Sequence, residues 1–268
     1  MIVCPFHGFE YDATGQCKLI PSLGQNGAPP KAMRVKTYPV HEAHGWIWIF
    51  WGESQADLQP PKWFDIDDRF CTSGFSEHWP VHYSRMVENQ LDVMHLAFVH
   101  TDTIGRGKRV VVEGPQARWV DDNVLHLWVY NRLDNGTPPR KAEELPEPKR
   151  PPFLVLNFPN LWENRISEDM RILAAFVPVD DQNSVIYIRN YQRFVRVPVL
   201  RDLIGLVLNI SSAHILHQDR RVVLKQLPIR TELKKMGEKL VQGDAGILAF
   251  RKRRHEEKVK SGQIDHKD

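Results

Sequence analysis

Three cysteines among 268 residues are too few, and odd in number, to build a disulfide framework. Cys4, Cys17 and Cys71 therefore read as thiols in a reducing compartment, and Cys71 as an ordinary one. Long apolar runs are also missing. None reaches the ~18–20 residues a bilayer span requires, and the nearest candidate, 197–216, is broken by Arg201, Asp202, Asn209 and two serines. Met1-Ile2-Val3-Cys4-Pro5 has neither the basic nor the apolar segment of a secretory signal, so a cytoplasmic protein with no membrane partner is expected. An excess of one charge is lacking too. A formal net charge of +3 is too small for this length to indicate a nucleic-acid partner. No internal repeat stands out. The remaining composition, 42% hydrophobic and 26% charged, is that of an ordinary globular protein. The length suits one large domain, or a medium domain with a fragment of another.

Histidine is abundant by contrast, with 12 in the chain. Most are expected on the surface or hydrogen-bonded in the core, so what matters is whether any stand at ligand spacing beside a carboxylate. Along the chain, the first 52 residues read as strand and loop. Tyr11-Asp12-Ala13-Thr14-Gly15-Gln16 is a strand entering a tight turn. Trp46-Ile47-Trp48-Ile49-Phe50-Trp51, stopped by Gly52, reads as a buried strand. Pro60-Pro61 marks a boundary. From 83 to 98 the period becomes helical, with Met86, Leu91, Met94 and Phe98 about a turn apart. Strands are expected over 124–133, 171–179 and 184–194. The segment 137–152 holds six prolines and many charges, so it reads as a long exposed loop. A long helix is expected from 197 to about 227, with Leu200, Leu203, Ile204, Val207, Leu208 and Ile215 on its apolar side. A charged helix follows over 245–260, whose mixed-sign run from Arg251 to Lys258 reads as a solvated face. This order argues an α+β fold with an antiparallel sheet folded around a long helix.

The densest chemistry lies in Glu88-Asn89-Gln90-Leu91-Asp92-Val93-Met94-His95-Leu96-Ala97-Phe98-Val99-His100. Asp92 and His95, three apart, share one face of a helix. His100, five beyond His95, stands ~140° round the axis at ~100° per residue. Both imidazoles can meet one metal only if the helix ends or loosens between them. Asp219, on the apolar helix at His214-Ile215-Leu216-His217-Gln218-Asp219, is the candidate third ligand, because burying a carboxylate there is costly without a partner. Two imidazoles and one carboxylate on one face of Fe(II) leave the opposite positions open to O₂. Taken alone, the two histidines suit a hydrogen-bonded helix end equally well. Asp219 taken alone suits an exposed partner of Arg220 or Arg221.

Cys4-Pro5-Phe6-His7-Gly8-Phe9-Glu10-Tyr11-Asp12 adds a Cys-x-x-His pair in a Pro/Gly loop. A zinc site would need two more ligands, and His41 or His44 would have to supply them. The flanking residues instead resemble the second half of a Rieske [2Fe–2S] motif, in which two thiolates hold one iron and two imidazoles the other. With Asp92-x-x-His95-x₄-His100 downstream, the chain resembles the α (oxygenase) subunit of Rieske non-haem iron ring-hydroxylating oxygenases, from residue 4 to Asp219. The resemblance implies a partial all-β Rieske domain over 1–55 and a helix-grip catalytic domain over 56–268. It implies Cys4 and His7 as cluster ligands, His95, His100 and Asp219 as ligands of a mononuclear Fe(II), and Asp92 as the electron-transfer bridge to a cluster histidine of a neighbouring subunit in a homotrimer. The first half of the motif, an upstream Cys-x-His, is not in the chain, and Cys17 lies on the wrong side of Cys4 to replace it. The expectation is therefore an N-terminally truncated oxygenase with half a cluster ligand set.

By the same resemblance, a ferredoxin and/or an NAD(P)H-dependent reductase supplies electrons. O₂ then hydroxylates or oxidatively demethylates a small apolar substrate, aromatic or cyclic, by mono- or dioxygenation. The pocket is expected between the sheet and the long helix; Phe98, Phe176 and Leu208 could contribute to it, but core packing is the favoured reading of each. Two rival readings are a hydrophobic ligand carrier without redox chemistry and a zinc hydrolase. Metal content separates the three.

Overall fold

The computed structural model of the chain describes residues 1–52, 58–234 and 236–264. It divides into two compact units, Met1–Trp63 and Phe64–Asp268. The boundary expected between residues 55 and 56 lies outside the described residues.

In the first unit, β1 (Ile2–Val3), β2 (Glu10–Tyr11) and β3 (Cys17–Leu19) form an antiparallel sheet in chain order. The expected turn follows β2. Asp12 Oδ1 accepts from the Thr14 amide at 2.9 Å, the Thr14 hydroxyl at 2.7 Å and the Gln16 amide at 3.1 Å, and Gly15 takes φ +78°. A second hairpin joins β4 (Val40–Ala43) to β5 (Trp46–Ile49). Here the expected buried strand is corrected. Trp46 and Trp48 are half-buried, but Ile47 is 75% exposed and Ile49 58%. Alternate residues of a strand face opposite sides, and this two-stranded ribbon covers only one of them.

The second unit is built on a seven-stranded antiparallel sheet in the order β6-β12-β11-β10-β9-β8-β7. Its strands are β6 (Cys71–Trp79), β7 (Val111–Trp119), β8 (Val124–Arg132), β9 (Leu154–Asn157), β10 (Leu161–Ser167), β11 (Met170–Pro178) and β12 (Ser184–Gln192). The expected strands at 124–133, 171–179 and 184–194 are β8, β11 and β12. The other four alternate less cleanly in hydrophobicity. β6 and β7 are opposite edges of the sheet, so the chain between them must cross its face. That crossing carries α1 (Tyr83–Leu91) and α2 (Leu96–Val99). The strands then return as a meander to β12, and α3 (Leu200–Val223) and α4 (Ala245–Lys260) complete the helical layer. Leu125, Leu127, Ala174, Phe176, Ile186 and Ile188 meet Met86, Val87, Leu91, Leu216 and Phe250 in the core. α3 approaches β6 closely at Gly205, whose carbonyl accepts from Ser73 Oγ at 3.1 Å. A Cβ at this glycine would stand 2.9 Å from Ser73 Cβ.

Three further expectations change. Leu200, Leu203 and Val207 are exposed, because in its N-terminal half α3 is buried only at Gly205, while Leu216, Asp219 and Val223 are buried in its C-terminal half. The charged face of α4 is not fully solvated either. Arg251, Arg254 and Lys258 are buried, which is tolerated because each meets a carboxylate. The loop 137–152 is mostly exposed, but it contains a 3₁₀ turn at Ala142–Glu144 and is tied to β7. Gln116 Nε2 donates to the Ala142 and Pro146 carbonyls at 3.3 Å each, and Arg140 pairs with Glu113. Among the described residues no helix is long and apolar enough to cross a membrane.

Candidate metal centre

α1 begins at His82, whose Nδ1 accepts from the Ser84 amide at 3.2 Å. It ends at Leu91, after which Asp92 turns to extended geometry (φ −73°, ψ 119°). The expected helical pairing of Asp92 with His95 is thus replaced by a turn. Asp92 Oδ1 accepts from the Met94 amide at 2.7 Å and the His95 amide at 3.3 Å, as short acidic side chains do at helix starts. α2 is a single turn with His95 before it and His100 after it. The helix therefore ends between the two halves of the motif, which is the condition for both imidazoles to face one point.

They do so together with Asp219. His95 Nε2 and His100 Nε2 are 3.2 Å apart, and Asp219 Oδ1 lies 3.3 Å from the first and 3.0 Å from the second. Among the described residues this is the one group of three His, Cys, Asp or Glu side chains arranged to hold a metal. Asp219 is 4% exposed, so it is not the solvated partner of Arg220 or Arg221. His100 Nδ1 stands 2.8 Å from Gln218 Oε1. The amide oxygen only accepts, so Nδ1 carries a proton, and in the neutral ring Nε2 presents its lone pair to the centre. Asp219 Oδ1 is buried with no hydrogen-bond donor. Electron-rich atoms thus crowd one point, an arrangement a cation relieves. Donors sharing one ion at ~2.1 Å must stand ~3.0–3.4 Å apart, and these three do. The residues fit a metal held by two imidazoles and one carboxylate.

The protein groups alone show the same demand for positive charge. Burial pulls the His95 imidazole down, but the nearby Asp219 and Asp92 carboxylates outweigh it and raise its pKa to about 9. Burial pushes Asp219 up, and His100 and His95 more than reverse this, holding it below the ordinary carboxylate range. Asp92 is lowered in the same way: burial is opposed by His95, whose Nδ1 is 3.7 Å from Asp92 Oδ2.

A cavity of about 140 Å³ opens beside the centre, between the sheet and α3. Ile172, Ile188 and Leu216 contribute to its apolar wall, and His95, His100 and Asp219 stand at its edge. Of the three residues proposed for it from sequence, none lines it. Phe176 is fully buried in the core, Phe98 is 67% exposed, and Leu208 lies elsewhere on α3. Sequence reading missed Gln218, which adjoins Asp219 and gives no signal beyond that adjacency. It also missed the cavity-lining Trp162 and Asn164, because β10 was not recognised as a strand.

Cys4 and His7 share one turn in the first unit, closed by the Gly8 amide donating to the Cys4 carbonyl at 2.8 Å, with Gly8 at φ +70°. Cys4 is half-buried and His7 exposed. No group of three donors among the described residues includes either of them, so His41 and His44 do not complete a zinc site there. A Rieske cluster takes two cysteines and two histidines, and the turn supplies one of each.

Residues 79–259 match the family described as the vanillate O-demethylase oxygenase C-terminal domain, and residues 1–39 match the Rieske [2Fe–2S] domain. The chain is 34% identical over 119 residues to the oxygenase component of dicamba O-demethylase from Stenotrophomonas maltophilia, covering 41% of this chain and 34% of that protein. It is 35% identical over 106 residues to the iron–sulfur subunit of the toluene-4-sulfonate monooxygenase system of Comamonas testosteroni, covering 38% and 29%. The matched stretches thus span about a third of the length of these relatives. Among solved structures, Pseudomonas putida CBB5 NdmA with caffeine shares the fold at a TM-score of 0.73 and 20% identity, over 97% of this chain and 73% of that one.

Proposed function

The chain belongs to the vanillate O-demethylase oxygenase family of Rieske non-haem iron proteins, and from that premise we propose that His95, His100 and Asp219 hold a mononuclear Fe(II). Such an iron would supply O₂ activation for hydroxylation or oxidative demethylation of a small apolar, cyclic substrate. The observation that carries this reading is the convergence of three donor atoms, 3.0–3.3 Å apart, at the edge of an apolar cavity.

The surrounding residues have separable tasks. Gln218 fixes the tautomer of His100 and is itself steadied by Thr103, whose hydroxyl donates to the same oxygen at 2.9 Å. Gln90 Nε2 donates to Asp219 Oδ2 at 3.5 Å and leaves Oδ1 free for the centre. The aliphatic walls exclude water and seat an apolar ring next to the ligands. Asp92 orients His95 and keeps 27% of its side chain exposed. That edge suits contact with a cluster imidazole of a neighbouring copy, the position His7 occupies in this sequence. The same reading includes a homotrimer fed by a ferredoxin and/or an NAD(P)H-dependent reductase. The cluster itself would need one more cysteine and one more histidine than the Cys4 turn provides.

The test is metal content. The full chain, loaded anaerobically with Fe(II) and desalted, is expected to retain iron stoichiometrically, and Asp219→Ala to lose it while keeping the wild-type circular dichroism spectrum. Full iron retention by Asp219→Ala would overturn the assignment. Wild-type protein that bound no metal would point to a ligand carrier, and a preference for zinc to a hydrolytic site.

A further inference from the structure

Buried polar atoms in folded proteins are nearly always hydrogen-bonded, so those that are not invite a reason. Besides Asp219 Oδ1 and His95 Nδ1 at the centre itself, two such atoms belong to the wall of the cavity beside the candidate iron site: Trp162 Nε1 and Asn164 Oδ1. They lie two residues apart on β10 and therefore share its cavity face, which Ile166 continues. Trp162 is only 5% exposed. The cross-strand neighbours of Asn164, Leu154 on β9 and Ile172 on β11, also line the cavity and are apolar. A lone amide is thus set into a greasy floor with its oxygen unmatched.

The other polar wall residues are already engaged. Ser212 donates to Asn190 Oδ1 at 2.8 Å, and Gln90 donates to Asp219. Among the described residues no lysine or arginine lines the cavity, and apart from the two imidazoles its charged groups there are the carboxylates Asp92 and Asp219. An anionic substituent on this wall would be buried without a counter-charge, which is unfavourable. The volume, about 140 Å³, is that of a single ring with small substituents.

We propose that Trp162 and Asn164 select a monocyclic substrate by a neutral group that both accepts and donates a hydrogen bond, as a phenol hydroxyl or a ring amide does. The Trp162 indole N–H donates to the group's oxygen, and Asn164 Oδ1 accepts its O–H or N–H. This rests on reading the cavity as the substrate site of the oxygenase. It adds a substrate class, an uncharged one, that the iron site does not dictate.

Equilibrium binding of 4-methylphenol, 2-piperidone, toluene and benzoate to the full chain, both metal-free and Fe(II)-loaded under anaerobic conditions, tests it without turnover. At least one of the two neutral donor–acceptor probes is expected to bind about tenfold or more tighter than toluene, with benzoate weakest in the metal-free chain. The better of the two distinguishes a hydroxyl from a ring amide. Asn164→Leu should weaken that probe by about 10–100-fold and leave toluene unchanged, because a site built around a polar group discriminates by leaving it unpaired. Trp162→Phe keeps the aromatic bulk, removes the N–H, and should weaken it by about tenfold. Asn164→Leu should also melt at or above the wild-type temperature, since it removes an unmatched buried amide. The proposal is overturned by benzoate binding tightest to the metal-free chain, by variants that weaken polar probe and toluene alike, or by a fall in the melting temperature of Asn164→Leu. Absence of iron binding with the polar preference intact would remove the oxygenase reading and leave this one standing.

Discussion

Two buried polar clusters draw on the chain before and after the end of α1, and they are put together differently. In the first, Arg251 reaches from α4 to Glu88 through Nε at 2.8 Å and Nη2 at 2.7 Å, and to Glu238 at 2.7 Å. Arg85 reaches Glu238 at 2.8 Å and the Pro228 carbonyl at 2.9 Å. Two arginines face two glutamates, and none of the four has an unmatched buried side-chain atom. In the second, His95, His100 and Asp219 bring like-natured donor atoms together and leave Asp219 Oδ1 and His95 Nδ1 without hydrogen bonds. Burial and polarity are similar in both. Completeness is what separates a cluster that locks α4 onto α1 from one that awaits a cation. In a closed network, removing one member strands the others, whereas in an open one it relieves crowding.

The largest expected effect follows from the closed cluster. Arg251→Met leaves Glu88 facing Arg85 only weakly and should destabilise the protein by about 3–5 kcal/mol in urea unfolding. A loss indistinguishable from zero would mean that the network is not what holds α4. His82, which caps the N-terminus of α1, comes next. Burial, with Arg254 and Arg230 adding to it, lowers its pKa to about 4. An unfolded histidine protonates near 6.5. Its contribution is therefore complete above pH ~6.5 and is lost progressively as pH falls towards 4, up to about 3 kcal/mol in all. Unfolding free energies measured across that interval should decline, and His82→Asn, which keeps a capping acceptor, should flatten the decline. The smallest effect belongs to the open cluster. Gln218→Ala frees His100 to rotate and change tautomer, and should weaken Fe(II) binding by about 10–100-fold in a chelator competition, with little change in the stability of the metal-free chain. An equal loss of stability and of iron affinity would make the two clusters alike and defeat the comparison.

Legibility in the sequence followed how local the determining contacts were. His95 and His100 were readable because five residues and one short turn set their relation. The turn at Asp12 was readable because its hydrogen bonds run between neighbours. The α+β class followed from the order of periodicities, and the seven-stranded antiparallel sheet with its helical layer agrees with it. Misreadings came where a far segment decides which side is covered. Trp46–Trp51 is aromatic enough for a core, yet four of its six residues are exposed. The Arg251–Lys258 run looks solvated until Glu88, Glu232 and Glu238 arrive from distant positions. β10 escaped notice because Glu163, Asn164 and Arg165 interrupt its apolar alternation. The amide that interrupts it is the residue to which we assign substrate selection.

The sequence by itself determined the local chemistry: two imidazoles flanking a single turn, Asp92 beside them, a Cys-x-x-His loop near the start, and a carboxylate on a long apolar helix. Only the tertiary structure decided that Asp219, more than a hundred residues away, would meet the two imidazoles, that Gln218 would set the tautomer of one of them, and that Trp162 and Asn164 would face the same cavity. The reason is topological. β6 and β7 occupy opposite edges of the sheet, so α1 and α2 must cross its face, and α3 returns over that face from β12. Which side chains meet beneath that crossing depends on register and packing across the whole sheet, which no short window of residues contains.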